Sequence, residues 1–244
     1  MIDSNRDFFV ICHFDELTST QDEFKRILGK NTPPEWSVIS AGYQTRGRGR
    51  RYKKWFSKAG ENALFTVYFQ PGLDPEHAYF LYQLPAVALA KVLETHGLKN
   101  VSIKYPNDIL VNGKKIAGIL VENIIKNKKI HASLIGIGLN VNQTEFPGRL
   151  GAVSVLSETG KETEVNEWII RIVSQMKKLY RYGAYAIFSK YVYYWHTPGE
   201  KAGVMFENNT FEGKIISIKD DLLTLHQEGR ILSFPINKII PALK

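Results

Sequence analysis

The chain has 244 residues, 44% of them apolar and 12% aromatic, enough to bury a core as one large domain or as one domain with a small companion. A single cysteine, Cys12, excludes an intrachain disulfide, and no window approaches the roughly 18 apolar residues of a membrane span. The formal charge is +8, yet four arginines and three lysines crowd between Gly42 and Gly60 without one acidic residue, so the rest is near neutral and a generally basic surface is excluded.

Met1–Asp7 has no basic start followed by an apolar run, which argues against a secretory signal and for a soluble, cytoplasmic protein. Residues 8–14 (Phe-Phe-Val-Ile-Cys-His-Phe) form an apolar run of strand type. Thr20 with Glu23 three residues on predicts a capping box and a short helix to Gly29. Ser19 and Thr20, at a helix start, can serve as caps or as a polar ligand corner. Pro33-Pro34 marks a loop, and residues 36–40 and 62–70 read as strands on either side of the basic stretch. Gly47-x-Gly49 lacks the third glycine of a dinucleotide fingerprint and no helix follows, which makes a Rossmann reading poor.

Asp74-Pro75 predicts the start of a long, buried helix to about His96, kinked at Pro85. Residues 101–104 read as a strand, and Asn112-Gly113 between apolar runs predicts a tight hairpin. Strand alternation lets Lys104, Asp108 and Lys115 face one cavity. A strand over 131–142 contains Gly136 and Gly138, which permit close approach of a ligand or another backbone. Residues 144–161 read as loop, and 165–181 and 185–195 as two amphipathic helices. After Thr197-Pro198-Gly199 come five short strands separated by turn residues, a pattern that fits a small SH3-like barrel. The expected domains are 1–196 and 197–244.

The basic loop alone permits three readings: a nucleic-acid arm with Tyr52 or Trp55 stacking on bases, a loop wrapping a polyphosphate or acyl-adenylate, or a solvated run of charge. Lys104, Asn107, Asp108 and Lys115 favour the second. Activating a carboxylate with a nucleoside triphosphate brings two anions together at the α-phosphorus, so cations or Mg2+ must screen them. The bland alternative is an exposed Lys–Asp pair of little energetic weight. The sequence has no HExxH, no CxxC and no G-x-S-x-G elbow.

With both clusters in view, the chain resembles the biotin–protein ligases (biotin–[acetyl-CoA-carboxylase] ligases). The resemblance rests on Gly47-Arg-Gly-Arg-Arg-x-x-x-Trp55, on Lys104-Tyr-Pro-Asn-Asp108 with Lys115-Ile-Ala-Gly-Ile-Leu-Val-Glu122, and on Gly136-Ile-Gly138-Leu-Asn140, with Ser19-Thr20 a fourth element. It spans about residues 8–142 and implies an α+β fold: a mixed, largely antiparallel sheet with helices, plus the C-terminal β module. It also implies a reaction in which biotin and ATP give biotinyl-5′-AMP and the biotin passes to a lysine of a biotin carboxyl carrier domain. By resemblance, Lys115, Arg48, Arg50 and Asp108 are the catalytic group. Ser19, Thr20, Gln44, Arg48, Gly49, Arg50, Lys115 and Gly118 contact biotin or the adenylate. Lys104, Asn107, Asp108, Asn140 and Trp55 lie on the nucleotide side, with Trp55 closing over the adenine. Asp108 is the candidate Mg2+ ligand.

Tyr52 stands where the family pattern has Gly, and Tyr105 where it has Trp. Ser19-Thr20 comes too early for a preceding helix-turn-helix domain, so the resemblance implies a monofunctional ligase that binds no DNA, and it leaves room for a homodimer. The alternatives are a lipoate or octanoate ligase or transferase of the same superfamily and, from another class, a nucleic-acid-binding protein.

Overall fold

The computed structural model describes residues 9–50, 53–104, 106–148, 151–195, 201–219, 222–235 and 238–241. Tyr52, Tyr105 and the expected boundary at 197, with Thr197-Pro198-Gly199, lie outside them. No helix among the described residues is long and apolar enough to cross a membrane.

A seven-stranded sheet holds most of the core. Its strands are β1 (Ile11–Leu17), β2 (Val38–Gln44), β3 (Asn62–Phe69), β4 (Val101–Lys104), β5 (Asp108–Val111), β6 (Lys114–Lys126) and β7 (Lys129–Asn140), in the order β1-β2-β3-β7-β6-β5-β4. Only β1 and β2 are parallel, because α1 (Thr20–Leu28) crosses between them; every other pair is antiparallel. Alternation sorts the two faces. Phe65, Val67 and Phe69 of β3 and Ile135, Ile137 and Leu139 of β7 join the main core with α2 (Phe80–Thr95), α4 (Val165–Tyr180) and α5 (Gly183–Tyr194). Tyr68 and Leu134 point the other way, onto Phe24 of α1. The sheet therefore separates a three-helix layer from α1. A second sheet of five strands, β8 (Lys201–Phe206), β9 (Asn209–Lys219), β10 (Leu222–Gln227), β11 (Arg230–Pro235) and β12 (Ile240–Pro241), is antiparallel throughout. The α+β class is as expected.

Several boundaries differ from expectation for local reasons. The first two strands lie later, at 11–17 and 38–44; Trp36, with φ 67°, is in the left-handed region and does not extend β2 backward. Asp74-Pro75 opens a short 3-10 turn over Pro75–His77, with the α-helix beginning afresh at Phe80 and running unbroken through Pro85. Within the stretch expected to be loop, Ser154 and Ser157 form a reciprocal capping box that starts α3 (Val155–Thr159), and Gly160 ends it at φ 71°.

The capping box expected at Thr20 and Glu23 is absent. Ser19 is the N-cap and makes no side-chain cap bond. Thr20 N–H donates instead to Gln44 Oε1 at 2.8 Å, and the Glu23 carboxylate takes Arg26 at 2.6 Å. A side chain at the end of β2 thus caps α1, and the hydroxyls of Ser19 and Thr20 are left for other partners.

Candidate active site

Glycine spacing builds the floor. With Ala117, Ile119, Ile135 and Ile137 turned into the main core, Gly118, Gly136 and Gly138 present bare backbone to the opposite, α1 side. A cavity of about 690 Å3 opens above them, within the range of small-molecule sites. Every site residue expected from the sequence lines it: Ser19, Thr20, Gln44, Arg48, Gly49, Arg50, Trp55, Lys104, Asn107, Asp108, Lys115, Gly118 and Asn140.

Two segments face each other across it. The first is the basic loop, whose described residues pair with one another: Arg48 bridges Lys54, Trp55 N–H donates to Gly47 O at 2.9 Å, and Gly49 N–H donates to Lys53 O at 2.6 Å. This folds Trp55 back over the floor. A Cβ on Gly138 would lie 2.6 Å from Trp55 Cε2 and Cζ2, and one on Gly118 2.9 Å from Cζ3, so the indole rests directly on both glycines. Its Nε1 is buried without a hydrogen-bond partner among the described residues, and Lys115 Nζ stands 5.4 Å from the ring centre. The expected place of Trp55, over an adenine, is thus taken in this conformation by the cavity floor.

The second is the β4–β6 hairpin. Asn112 (φ 50°) and Gly113 (φ 75°) both adopt the left-handed conformation that the tight turn requires. Register places Asp108 opposite both Lys104 and Gly118, and a bulge after Ile109 brings Lys115 round to Asp108, with Nζ–Oδ1 at 2.6 Å. Asn107 is fastened twice to Ile119, its Nδ2 donating to Ile119 O at 3.0 Å and its own carbonyl accepting Ile119 N–H at 2.9 Å. Asn140 Nδ2 donates to Val153 O at 2.9 Å, and Lys115 pairs through its backbone with Gly151 and Val153.

The loop cations are unequal. Arg48, expected to meet a ligand's anionic groups, forks onto Asp22 at 2.6 and 2.7 Å and reaches Glu122 at 3.4 Å. The Arg48 hydrogen bond, with the charges of Arg48 and Lys25, holds the Asp22 carboxyl below the usual range against the opposing effect of burial, and the same bond holds the Arg48 guanidinium further charged. Asp22, 26 positions away, and Glu122, 74 away, are acidic counterparts that the sequence did not single out. Arg50 differs: among the described residues it meets Asn107 Oδ1 at 3.3 Å and the Tyr82 ring at 5.9 Å, but no carboxylate. Burial pushes the Tyr82 phenol up, so beside Arg50 it remains a neutral ring.

At the other end, Thr20 Oγ1 bonds Thr66 Oγ1 at 2.8 Å and donates to Gln44 Oε1 at 3.2 Å, making a polar corner at the start of α1. Thr66 was missed by sequence reading because a threonine inside an apolar strand carries no signal. Gly203 and Glu212 of the second sheet also reach the cavity wall.

One carboxylate, that of Asp108, stands among the hairpin cations, and no group of three or more His, Cys, Asp or Glu that could hold a metal occurs among the described residues. The donor set fits Mg2+ only as an ion carried mainly by substrate phosphates, a common manner for Mg2+.

Comparison with known proteins agrees with this geometry. Residues 13–140 match the Biotin/lipoate A/B protein ligase family. The chain is 33% identical over 225 residues to the bifunctional ligase/repressor BirA of Bacillus spizizenii, covering 88% of this chain and 69% of that protein. It is 34% identical over 141 residues to the biotin–[acetyl-CoA-carboxylase] ligase of Paracoccus denitrificans, covering 54% and 57%. In fold it is similar to the biotin protein ligase from Aquifex aeolicus in complex with biotin and ATP, with a TM-score of 0.71 at 23% identity over 96% of this chain and 99% of that one. By its matched residues, its relatives and its fold, the chain belongs to the Biotin/lipoate A/B protein ligase family.

Proposed function

We propose that the cavity activates biotin with ATP and passes it to a lysine of a biotin carboxyl carrier domain. The observation that carries this is the meeting of residues 44–55 and 104–118 in one cavity over the glycine floor. Biotin is polar at both ends, a ureido ring at one and a carboxylate at the other. The cavity has a matching polarity: a neutral corner of Ser19, Thr20, Gln44 and Thr66, and a cationic side with Lys115, Arg50 and Lys104.

The chemistry has two steps. A biotin carboxylate oxygen attacks the α-phosphorus of ATP; the new O–P bond forms as the bond to pyrophosphate breaks, leaving biotinyl-5′-AMP. The ε-amine of the acceptor lysine then attacks the acyl carbon; a C–N bond forms, AMP departs with the electrons of the C–O bond, and the proton of the amine is released to water. Lys115 and Arg50 offset the charge that the carboxylate and phosphates bring together. Asp108 fixes Lys115 in the first step and orients the incoming lysine in the second. Lys104, Asn107 and Asn140 hold the nucleotide side, and Gly49 lets the loop backbone approach the phosphates. Asp108, with the ATP phosphates, would hold Mg2+, which would supply neutralisation of part of the phosphate charge. Arg48 is the anchor of the loop through Asp22 and Glu122, and Trp55 leaves the floor when the site fills. The second sheet, β8–β12, serves as the C-terminal β module, and the protein works in the cytoplasm, where the exposed Cys12 thiol stays reduced.

The test is pyrophosphate release from ATP on adding biotin, with lipoate as control, followed by biotin transfer to an isolated acceptor domain. Turnover with biotin alone is expected. Turnover with lipoate alone moves the protein to the other branch of its family. Turnover with neither, together with RNA binding that weakens steeply with salt, restores the nucleic-acid reading.

A further inference from the structure

The segment bearing Asn107 and Asp108 is fastened in front to β6, and it is also held from behind. Pro106 has no N–H, so its carbonyl is its only backbone handle. That carbonyl accepts a hydrogen bond from Tyr191 Oη of α5 at 3.2 Å, and Tyr191 Oη accepts one from Tyr79 Oη at 2.8 Å. Tyr191 is fully buried and Tyr79 is 6% exposed; their rings meet edge to face at 5.7 Å. Two phenols in a core are costly unless both hydroxyls are used. Here they form a directed chain: Tyr79 donates to Tyr191, which sends the Tyr191 proton on to Pro106.

We propose that Tyr191 is a positioning residue for the nucleotide side of the site, acting through the Pro106 carbonyl on Asn107 and Asp108. The proposal rests on the biotin-ligase reading. Helix packing alone would be served as well by phenylalanine at 191. The hydroxyl is needed because the bonds of Asn107 to Ile119 fix that residue from the sheet side only.

Two single-oxygen variants separate positioning from packing. Tyr191→Phe and Tyr79→Phe each remove one hydroxyl from the same buried pair, so a general loss of stability would affect both alike. Only Tyr191→Phe frees the Pro106 carbonyl. After a circular-dichroism melt to verify folding, steady-state pyrophosphate release is measured with biotin and MgATP on the full chain. Tyr191→Phe is expected to lower kcat about three- to tenfold, the size of one neutral hydrogen bond. The KM for biotin stays at the parental value, because Ser19, Thr20 and Gln44 are carried by α1 and β2. Tyr79→Phe stays within about twofold of the parent in kcat, since Tyr191 keeps its bond to Pro106. Amide exchange at Ile119, which reports the Asn107 carbonyl, is expected to quicken in Tyr191→Phe only.

A parental kcat in Tyr191→Phe overturns the proposal, as do equal losses in the two variants or a rise in biotin KM that accounts for the loss. A parent protein that makes no pyrophosphate with biotin overturns the ligase reading instead. Equal Ile119 exchange in the two variants then overturns the positioning of the segment by itself.

Discussion

Replacing Gly138 by alanine tests where the Trp55 ring sits. The new methyl would stand 2.6 Å from Cε2 and Cζ2, against an ordinary carbon–carbon contact of about 3.5–4.0 Å, so the ring must retreat by about 1 Å. Sliding sideways is closed to it, because Gly138 pairs with Gly118 across β6 and β7 and the ring already lies over both. A ring held in place under compression would cost about 1–3 kcal/mol. A ring that lifts off loses about 2 kcal/mol of apolar burial. Lifting also returns the buried, unpartnered Nε1 to water, which recovers about 1–3 kcal/mol. Lifting is therefore the cheaper response, with a net loss below about 1 kcal/mol. The assay is tryptophan emission in the variant and in a Trp55→Phe background, with urea unfolding alongside. Trp36, Trp168 and Trp195 are only 8%, 2% and 3% exposed, so a red shift that Trp55→Phe abolishes belongs to Trp55. Unchanged emission with a loss of about 1–3 kcal/mol or more would refute the reasoning and show that the ring is locked to the floor.

Lys115→Ala removes the cation paired to Asp108 and should cut adenylate formation by about 10²–10³ with an unchanged circular-dichroism spectrum, as loss of a single charge-stabilising donor does elsewhere; near-parental turnover would remove its assigned role. Asp22→Asn should free Arg48 and expose the basic loop to trypsin, at a stability cost below about 1 kcal/mol because the Asp22 side chain is 42% exposed. The depressed Asp22 carboxyl contributes its stability above the ordinary carboxylate range and loses it as pH falls through its lowered value. Loop opening in the parent should thus appear on acidification and be absent as a step in Asp22→Asn, judged by amide exchange of residues 46–50 at each pH; a step of equal size in both would sink the anchor. Gly213→Ala would put a Cβ 2.7 Å from the His226 carbonyl oxygen, a backbone atom that cannot swing aside, so a loss of about 1–3 kcal/mol is expected in thermal melts of the second sheet, and an unchanged melt would contradict that packing.

Where physics is local, the reading from sequence agreed with the structure. Asn112-Gly113 can turn a chain by itself, and both residues have the positive φ that the turn demands. The β6–β7 turn was not foreseen, because Asn127-Lys128 places a lysine at φ 62°, a conformation set by the paired strands and not by lysine's preference. Helix α3 was missed because five residues are too few to show a period, although Ser154, Ser157 and Gly160 were its legible caps. The box at Thr20 and Glu23 was locally well formed and still lost, because Gln44 arrives at the helix start from another strand.

The sequence by itself determined which residues line one cavity. Alternation along three strands, two glycine-bearing runs and one concentrated stretch of charge are one-dimensional patterns, and all of the expected residues line one cavity. Only tertiary structure decided what each charge does there. Arg48 and Arg50 are close in a run of like charge, yet one is matched by Asp22 and Glu122 while the other, among the described residues, meets an amide and a ring. The partners of a long side chain are chosen by where distant elements end. The sequence distance between Arg48 and Glu122, like that between Tyr191 and Pro106, carries no trace of the contact that the fold creates.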